Sequence, residues 1–216
     1  MSNTVHVFHS TALAAINQAL VTLGQDVVLE AADLATDAKS AHGRKAAFLY
    51  DAARLRVLRD HAWNFARREW LVGGTMCSPC DEAFPFRIPL PPRCVKTLAC
   101  YGHGRHIIHH KLFGGEIRSD EPIQRVVYTA DEENLDKWTS DAYNALVLRL
   151  AADLAKPITG RINERQLQEQ AYADMVATAK LHDASDVNLA YGEDDENRYV
   201  RAMRGGFRPH DDVLRR

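Results

Sequence analysis

The chain has 216 residues, a formal net charge of −2 and an apolar fraction of 46%. This length suffices for one or two domains with a buried core, and the near-neutral charge excludes an overall electrostatic footprint for tight DNA binding. No apolar run is long enough to span a bilayer, and the first residues, MSNTVHVFHS, lack a signal-type leader. We therefore expect a globular protein that is made in the cytoplasm and keeps its cysteines reduced.

Two helices are predicted in the first third of the chain. The first begins at Ser10 or Thr11 and ends at Gly24, because its apolar residues recur at helical spacing and glycine terminates helices well. The second spans roughly 38–60 and runs into a tryptophan cluster. Its predicted apolar face consists of residues three or four positions apart: Phe48, Ala52, Leu55, Leu58, Ala62 and Phe65. We expect this face to be buried, with Trp63 and Phe65 as core anchors of the helical part.

The helical period disappears between residues 84 and 128. Alternating apolar residues in the segment FRIPL, 86–90, predict a strand with one buried face. Its prolines favour the edge of a sheet, because proline cannot donate to a strand ladder. The pair Gly114-Gly115 predicts a hairpin turn. The segment therefore indicates a small antiparallel β insertion.

Two more helices are predicted after the insertion, at about 140–156 and 163–183. Pro157 lacks the amide proton that a helix interior needs, so the first should end near Lys156, and Thr159 can cap the second. After Asp186 the periodic apolar pattern ends and the sequence becomes strongly charged. That composition is typical of an extended segment without a core of its own.

The predicted fold class is therefore α+β. Residues 1–72 and 138–186 are expected to form a four-helix bundle, and residues 73–137 a small antiparallel β insertion between helices 2 and 3. Residues 187–216 are expected to form an extended C-terminal arm.

Cysteines and histidines in the middle of the chain raise the question of a metal site. Cys77 and Cys80 have the spacing of one zinc knuckle, but Cys94 and Cys100 are too far apart for a second. We expect no metal and no cofactor here, although a small zinc-dependent nucleic-acid-binding module is the alternative function. No nucleophile, dyad or phosphate loop has the spacing that catalysis needs, so we expect the chain not to be an enzyme.

Four segments, in this order, carry a resemblance to a known family. They are AINQALVTLG at 15–24, the run from Arg54 to Ala66 (Arg-x-x-x-Leu-x-x-His-x-Trp-Asn-Phe-Ala), RIPLPPRC at 87–94, and LAADLAKPIT at 150–159. Together they resemble the tail tubular protein A family of short-tailed bacteriophages, the head-to-tail adaptors. The chain departs from the family pattern at Ala62, where many relatives have proline, and at the CSPC of 77–80.

The resemblance implies a structural virion protein of the phage tail that is assembled in the host cytoplasm. It implies a homo-oligomeric ring of twelve copies that docks under the portal protein and carries a tail nozzle protein, the tail tubular protein B of such phages. It further implies that DNA passes through the ring without specific binding, and that no membrane is a partner.

Two functional surfaces are expected within this family role. A negative channel wall repels phosphates and lets the duplex slide, which makes an acidic segment the candidate DNA-channel lining: Asp131, Glu132, Glu133 and Asp136. The arm combines aromatic, methionine and arginine residues of the kind found at binding hot spots. Its candidate portal-binding residues are Tyr199, Arg201, Met203, Arg204, Phe207 and Arg208.

Overall fold

A computed structural model of the chain describes residues 12–27, 41–77 and 83–186. These ranges contain four α-helices: α1 (Ala12–Thr22), α2 (Ala41–Asp60), α3 (Ser140–Thr159) and α4 (Ile162–Asp186). They also contain seven strands: β1 (Arg67–Leu71), β2 (Met76–Cys77), β3 (Phe86–Pro89), β4 (Cys94–Tyr101), β5 (His110–Phe113), β6 (Glu116–Ser119) and β7 (Arg125–Ala130). Residues up to Asp183 belong to one compact unit, and a second unit begins at Ala184.

The strands form two antiparallel sheets. One sheet has three strands in the order β1-β7-β4, and the other has four in the order β2-β3-β6-β5. The β5–β6 connection is the predicted hairpin, and Gly114 and Gly115 both have positive φ, at 60° and 80°. Two successive residues with positive φ make the two-residue turn whose twist matches the strands, and glycine adopts that conformation without steric cost.

The larger core lies among α1, α2 and α3, which pack against one another. The α1 helix contributes apolar residues that recur at the predicted helical spacing, since Ile16, Leu20 and Leu23 are buried. The α3 helix supplies most of the rest, because apolar residues at helical spacing cover more than half of its circumference. Its buried apolar residues are Ala142, Tyr143, Ala145, Leu146, Val147, Leu150, Ala151, Ala152, Leu154 and Ala155.

A second, smaller core belongs to the strands. It is built from aliphatic residues of both sheets and their connections, together with a cysteine and a tyrosine. Its buried members are Ile88, Cys100, Ile108, Ile117, Ile123, Val126 and Tyr128. The β part therefore has an apolar centre of its own.

The expected four-helix bundle with a small insertion is wrong. The chain is α+β, but its described residues form two antiparallel sheets of seven strands, with helices in the N- and C-terminal parts. The strands begin at Arg67, directly after the tryptophan cluster, so the β part is larger than the sequence indicated. Short strands with irregular alternation give weak periodic signals, and the two-residue β2 gives almost none.

The predicted buried face of α2 is also wrong. Phe48 is 85% exposed, and Ala52 and Leu55 are exposed as well. The helix instead buries the largely opposite face, which includes Ala46, Ala53 and Val57. Of the predicted face within α2, only Leu58 is buried. Both faces satisfy helical spacing. The alanine face allows a close approach to the alanine-rich α3, and close packing of two backbones decides between them.

The helix α3 continues past the predicted stop at Lys156. Pro157 lies within its last turn, and the helix ends at Gly160, which adopts a left-handed conformation with φ 71°. The amide of Gly160 donates to the carbonyl of Lys156 at 3.1 Å, so the glycine, not the proline, terminates the helix. Among the helices of the described residues, none is both long and apolar enough to cross a membrane.

Candidate functional site

The tryptophan cluster forms the junction between α2 and β1. Trp63 is fully buried and donates its indole N–H to the carbonyl of Val57 at 2.8 Å. Phe65 is half-buried and stacks on Trp63 with ring centroids 5.9 Å apart, and it meets Trp138 at 5.1 Å. The sharp turn after α2 is thus held by aromatic packing and by one indole hydrogen bond that satisfies a carbonyl of the last helical turns.

A buried carboxylate ties the same junction to α4. The Asp183 Oδ2 lies 2.9 Å from His61 Nε2, and its Oδ1 accepts the backbone N–H of Asn64 at 3.3 Å. The Asn64 side chain donates to the Asp183 carbonyl at 2.8 Å. The histidine and the asparagine of the motif, His61 and Asn64, therefore hold the junction against α4. His61 therefore pairs with Asp183, 122 positions away, and the adjacent Asp60 instead accepts the Tyr172 hydroxyl at 2.7 Å.

The predicted channel-lining segment follows β7, and its first residue forms an ion pair with a buried arginine. Arg54 is only 4% exposed and contacts the Asp131 carboxylate. Burial opposes the charge of Arg54, but the hydrogen bond and charge of Asp131 leave its pKa above the ordinary value. Burying a guanidinium without a counter-charge would cost much free energy. Asp131 therefore allows α2 to pack with Arg54 on its buried face.

The next two acidic residues are also paired with basic side chains. Glu132 accepts from Arg68 at 2.8 Å and from Lys137 at 3.1 Å. Glu133 lies 2.7 Å from Arg93. The carbonyl of Arg93 in turn accepts the backbone N–H of Asp131 at 2.8 Å, which holds Arg93 at a φ of 56°, rare for a residue other than glycine.

These pairings divide the four predicted channel-lining residues into two groups. The Glu132 side chain is 12% exposed and that of Asp131 is largely shielded, whereas Glu133 is 66% exposed and Asp136 is exposed. A carboxylate repels DNA over a useful distance only if it faces solvent without a neutralising partner. The role in the channel stays a prediction. The geometry favours Asp136, which is exposed, over Glu133, which has Arg93 as a neutralising partner.

A cleft of about 560 Å³ lies beside this network, between α2 and the start of β4. Its walls carry three arginines, two carboxylates, a thiol and two aliphatic residues: Leu55, Arg56, Arg59, Asp60, Arg93, Cys94, Val95 and Asp131. Burial raises the pKa of the Cys94 thiol, so it is a poor nucleophile. Three arginines and an aliphatic wall suit the binding of an acidic or amphipathic segment.

The cysteine and histidine region is dispersed in space. Cys77 is exposed, and Cys100 is fully buried in the β core, where desolvation raises its pKa to about 12. His106 and His109 pair with the carboxylates of Glu121 and Asp120, at 2.8 and 3.0 Å. Among the residues that the structure describes, no three metal-ligating side chains come together. Cys80 lies outside the described residues.

The predicted portal-binding residues of the arm, 199–208, lie outside the described residues. Sequence reasoning also missed the three arginine partners of the acidic segment, namely Arg54, Arg68 and Arg93. The burial of Arg54 had one indication in the sequence, because Arg54 lies next to Ala53 and Val57 on the face of α2 that packs against α3. Its acceptor is 77 positions away, and no local pattern indicates it.

A scan against protein-family models finds no match, and no curated protein matches the sequence. The likeness to the head-to-tail adaptors therefore rests on the four sequence segments alone.

Proposed function

We propose that the chain is a head-to-tail adaptor of a short-tailed bacteriophage, similar to tail tubular protein A. Copies of it form a ring between the portal and the tail nozzle, and the ring extends the channel through which DNA leaves the head. The role is structural: it requires a rigid subunit, contact surfaces for neighbours, and a channel wall that does not hold DNA.

The observation that carries the proposal is the joint packing of three of the four family-like segments. Ile16 and Leu20 from the first segment, Trp63 from the second, and Leu150 and Leu154 from the last are all buried in the larger core. The segments that resemble the adaptor family are thus the ones on which this fold depends. The residues that carry the resemblance are thus core residues, and this supports the role that the resemblance implies.

Surface chemistry also supports the proposal. Large apolar side chains are exposed on several elements of the described residues, including Phe48 on α2, Phe113 at the hairpin tip and Leu181 on α4. Exposed apolar side chains gain free energy when a partner removes them from water. A ring subunit needs several contact sites, since it meets two neighbours, the portal and the nozzle. Repeated modest contacts then hold the ring together.

Assembly with the portal protein encoded in the same genome tests the proposal. The two full-length proteins are co-expressed, and electron micrographs and native mass measurements are taken of the portal with and without this chain. We expect a ring of twelve copies on the portal. A portal that retains no copies of this chain would overturn the proposed function.

The arm can be tested in the same assay. Tyr199→Ala with Phe207→Ala should remove the chain from the portal, because aromatic anchors carry most of the energy of an interface. Tyr191→Ala is the matched control, an aromatic of the same charged segment outside the predicted binding set. Equal portal binding by all three proteins would assign docking to another surface.

A further inference from the structure

The exposed face of α2 carries an apolar seam with basic residues at one end. Phe48 and Leu55 are seven residues apart and both exposed, and Ala52 lies between them. Arg56 and Arg59 continue the same side of the helix into the cleft. Residues seven apart lie two turns apart on one line along a helix, which is the spacing of a seam that packs against a second helix.

The exposed face of α4 has a seam of the same spacing. Leu167, Asp174 and Leu181 follow one another at intervals of seven, and all three are exposed. Ala173 and Ala177 beside them are small and exposed, so another helix can approach the backbone closely. The opposite side of α4 is occupied, since Tyr172 and Val176 are buried in the larger core.

The two helices differ in the sign of their charge, and their exposed seams are similar in length. Apart from the buried Arg54 and Asp183, the sequence of α2 has four Lys and Arg against two Asp, whereas that of α4 has two Lys and Arg against four Asp and Glu. At a rise of 1.5 Å per residue, the seams from Phe48 to Arg59 and from Leu167 to Leu181 extend about 17 and about 21 Å. Asp174 is the one charged residue within the α4 seam, and a single polar seam position sets which residues face each other.

We propose that the exposed face of α2 in one copy of the chain docks on the exposed face of α4 in a second copy. Phe48 and Leu55 lie about 10 Å apart along α2 and Leu167 and Leu181 about 21 Å apart along α4. Phe48 therefore packs against one of the two leucines, Leu55 packs on the alanines beside Asp174, and Arg56 meets Asp174. The two faces are different surfaces, so the contact is head-to-tail, and repetition of a head-to-tail contact closes into a ring when the rotation permits. The inference deepens the proposed adaptor function by naming the contact between ring neighbours.

Paired face variants of the full chain test the contact. One variant carries Phe48→Ser and Leu55→Ser, and the other carries Leu167→Ser and Leu181→Ser. Sedimentation of the wild-type chain should show association beyond a dimer as concentration rises. Each variant alone should lose at least about tenfold in association constant. A mixture of the two should form dimers only, because each copy has one intact face.

The matched control is Leu112→Ser with Phe113→Ser, which removes two equally exposed apolar side chains from the hairpin tip. It should associate like the wild type. All four altered positions on the helices are exposed, so unchanged melting temperatures verify that the variants are folded. A wild-type chain that stays monomeric or stops at a dimer would overturn the proposal. A control variant whose association constant falls as much as that of the face variants would overturn it as well.

Charge reversal provides an independent measurement. Arg56→Glu with Arg59→Glu should weaken association, and Asp174→Arg should weaken it too, because each change places like charges at every contact between identical copies. A mixture of these two chains should recover association, since the α2 face of each chain then meets a residue of opposite charge on the α4 face of the other. The three changes combined in one chain should restore association, since every contact then has opposite charges again. Failure of the combined chain to recover would assign the charges no role.

The outcomes separate this contact from the proposed adaptor function. If the face variants still form rings on the portal, the contact is refuted and the adaptor function is not. If the chains associate through these faces but do not bind the portal, the adaptor function is refuted and the contact is not.

Discussion

The helical core and the β core differ in how they are held together. The helical core joins close-packed alanines with large aromatic residues, and buried polar groups in it have hydrogen-bond or ion-pair partners, as at Trp63, Asp183 and Arg54. The β core is smaller, and the ion pairs around it, such as His106–Glu121, lie at the surface. Exposed ion pairs contribute little to the free energy of unfolding, whereas removal of one partner of a buried pair lowers it considerably. We therefore expect stability to be concentrated in the helical part.

The largest effect should come from the tryptophan cluster. Trp63→Ala removes a fully buried side chain, with its indole hydrogen bond and its contact to Phe65, and should lower the free energy of unfolding by about 3–5 kcal/mol. Trp70→Ala in β1 is the matched control, because Trp70 is only half-buried, and should cost clearly less. Denaturant unfolding of both variants measures the difference. Equal losses would mean that the two cores contribute alike.

A smaller loss should follow from breaking the Arg54–Asp131 pair. Asp131→Asn removes the nearer of two carboxylates from the buried Arg54 guanidinium, which keeps only Asp51 at 3.4 Å, and should lower the free energy of unfolding by about 2–3 kcal/mol. Arg54→Met keeps the aliphatic stem and removes the charge. A double-mutant cycle with both changes isolates the coupling, and a coupling near zero would show that the ion pair adds nothing to stability.

In the β part, the hairpin turn should be sensitive to about 1 kcal/mol. Gly115→Ala forces a side chain into a positive-φ conformation and should destabilise the chain by that amount. Gly73→Ala is the control, since a Cβ there meets no atom within 4 Å and its φ is not positive. Thermal unfolding should separate the two variants. A neutral Gly115→Ala would indicate that the hairpin rearranges at no cost.

The smallest effect concerns pH. The hydrogen bond that the His106 ring donates to the Glu121 carboxylate raises the pKa of His106, so the protonated ring is favoured in the folded chain. This contribution to stability is fully present below the ordinary pKa of histidine and is lost as pH rises through the raised value. Because His106 is at the surface, we expect only a displaced NMR titration. Glu121→Gln should lower the His106 pKa and Glu116→Gln should leave it unchanged.

Both regions show which features local pattern predicts well. The α1 stripe and the Gly114-Gly115 turn were predicted correctly, because each depends on residues close together in the chain. The α2 face was predicted wrongly for Phe48, Ala52 and Leu55, since apolar residues on two opposite faces both had helical spacing. The choice depended on the shape of α3, more than 80 positions further on. The acidic segment was recognised, but its arginine partners were not.

By itself the sequence determined the helices α1 and α3, the hairpin and the aromatic junction after α2. These follow from side-chain periodicity, from glycine conformation and from the area that large aromatic residues bury. Only the tertiary structure decided that two sheets share the middle of the chain, that α2 packs through alanines and leaves Phe48 exposed, and that Asp131 belongs to Arg54. The physical reason is the same in each case: close packing and the pairing of buried charges are settled between residues far apart in the chain, and a local pattern holds no information about them.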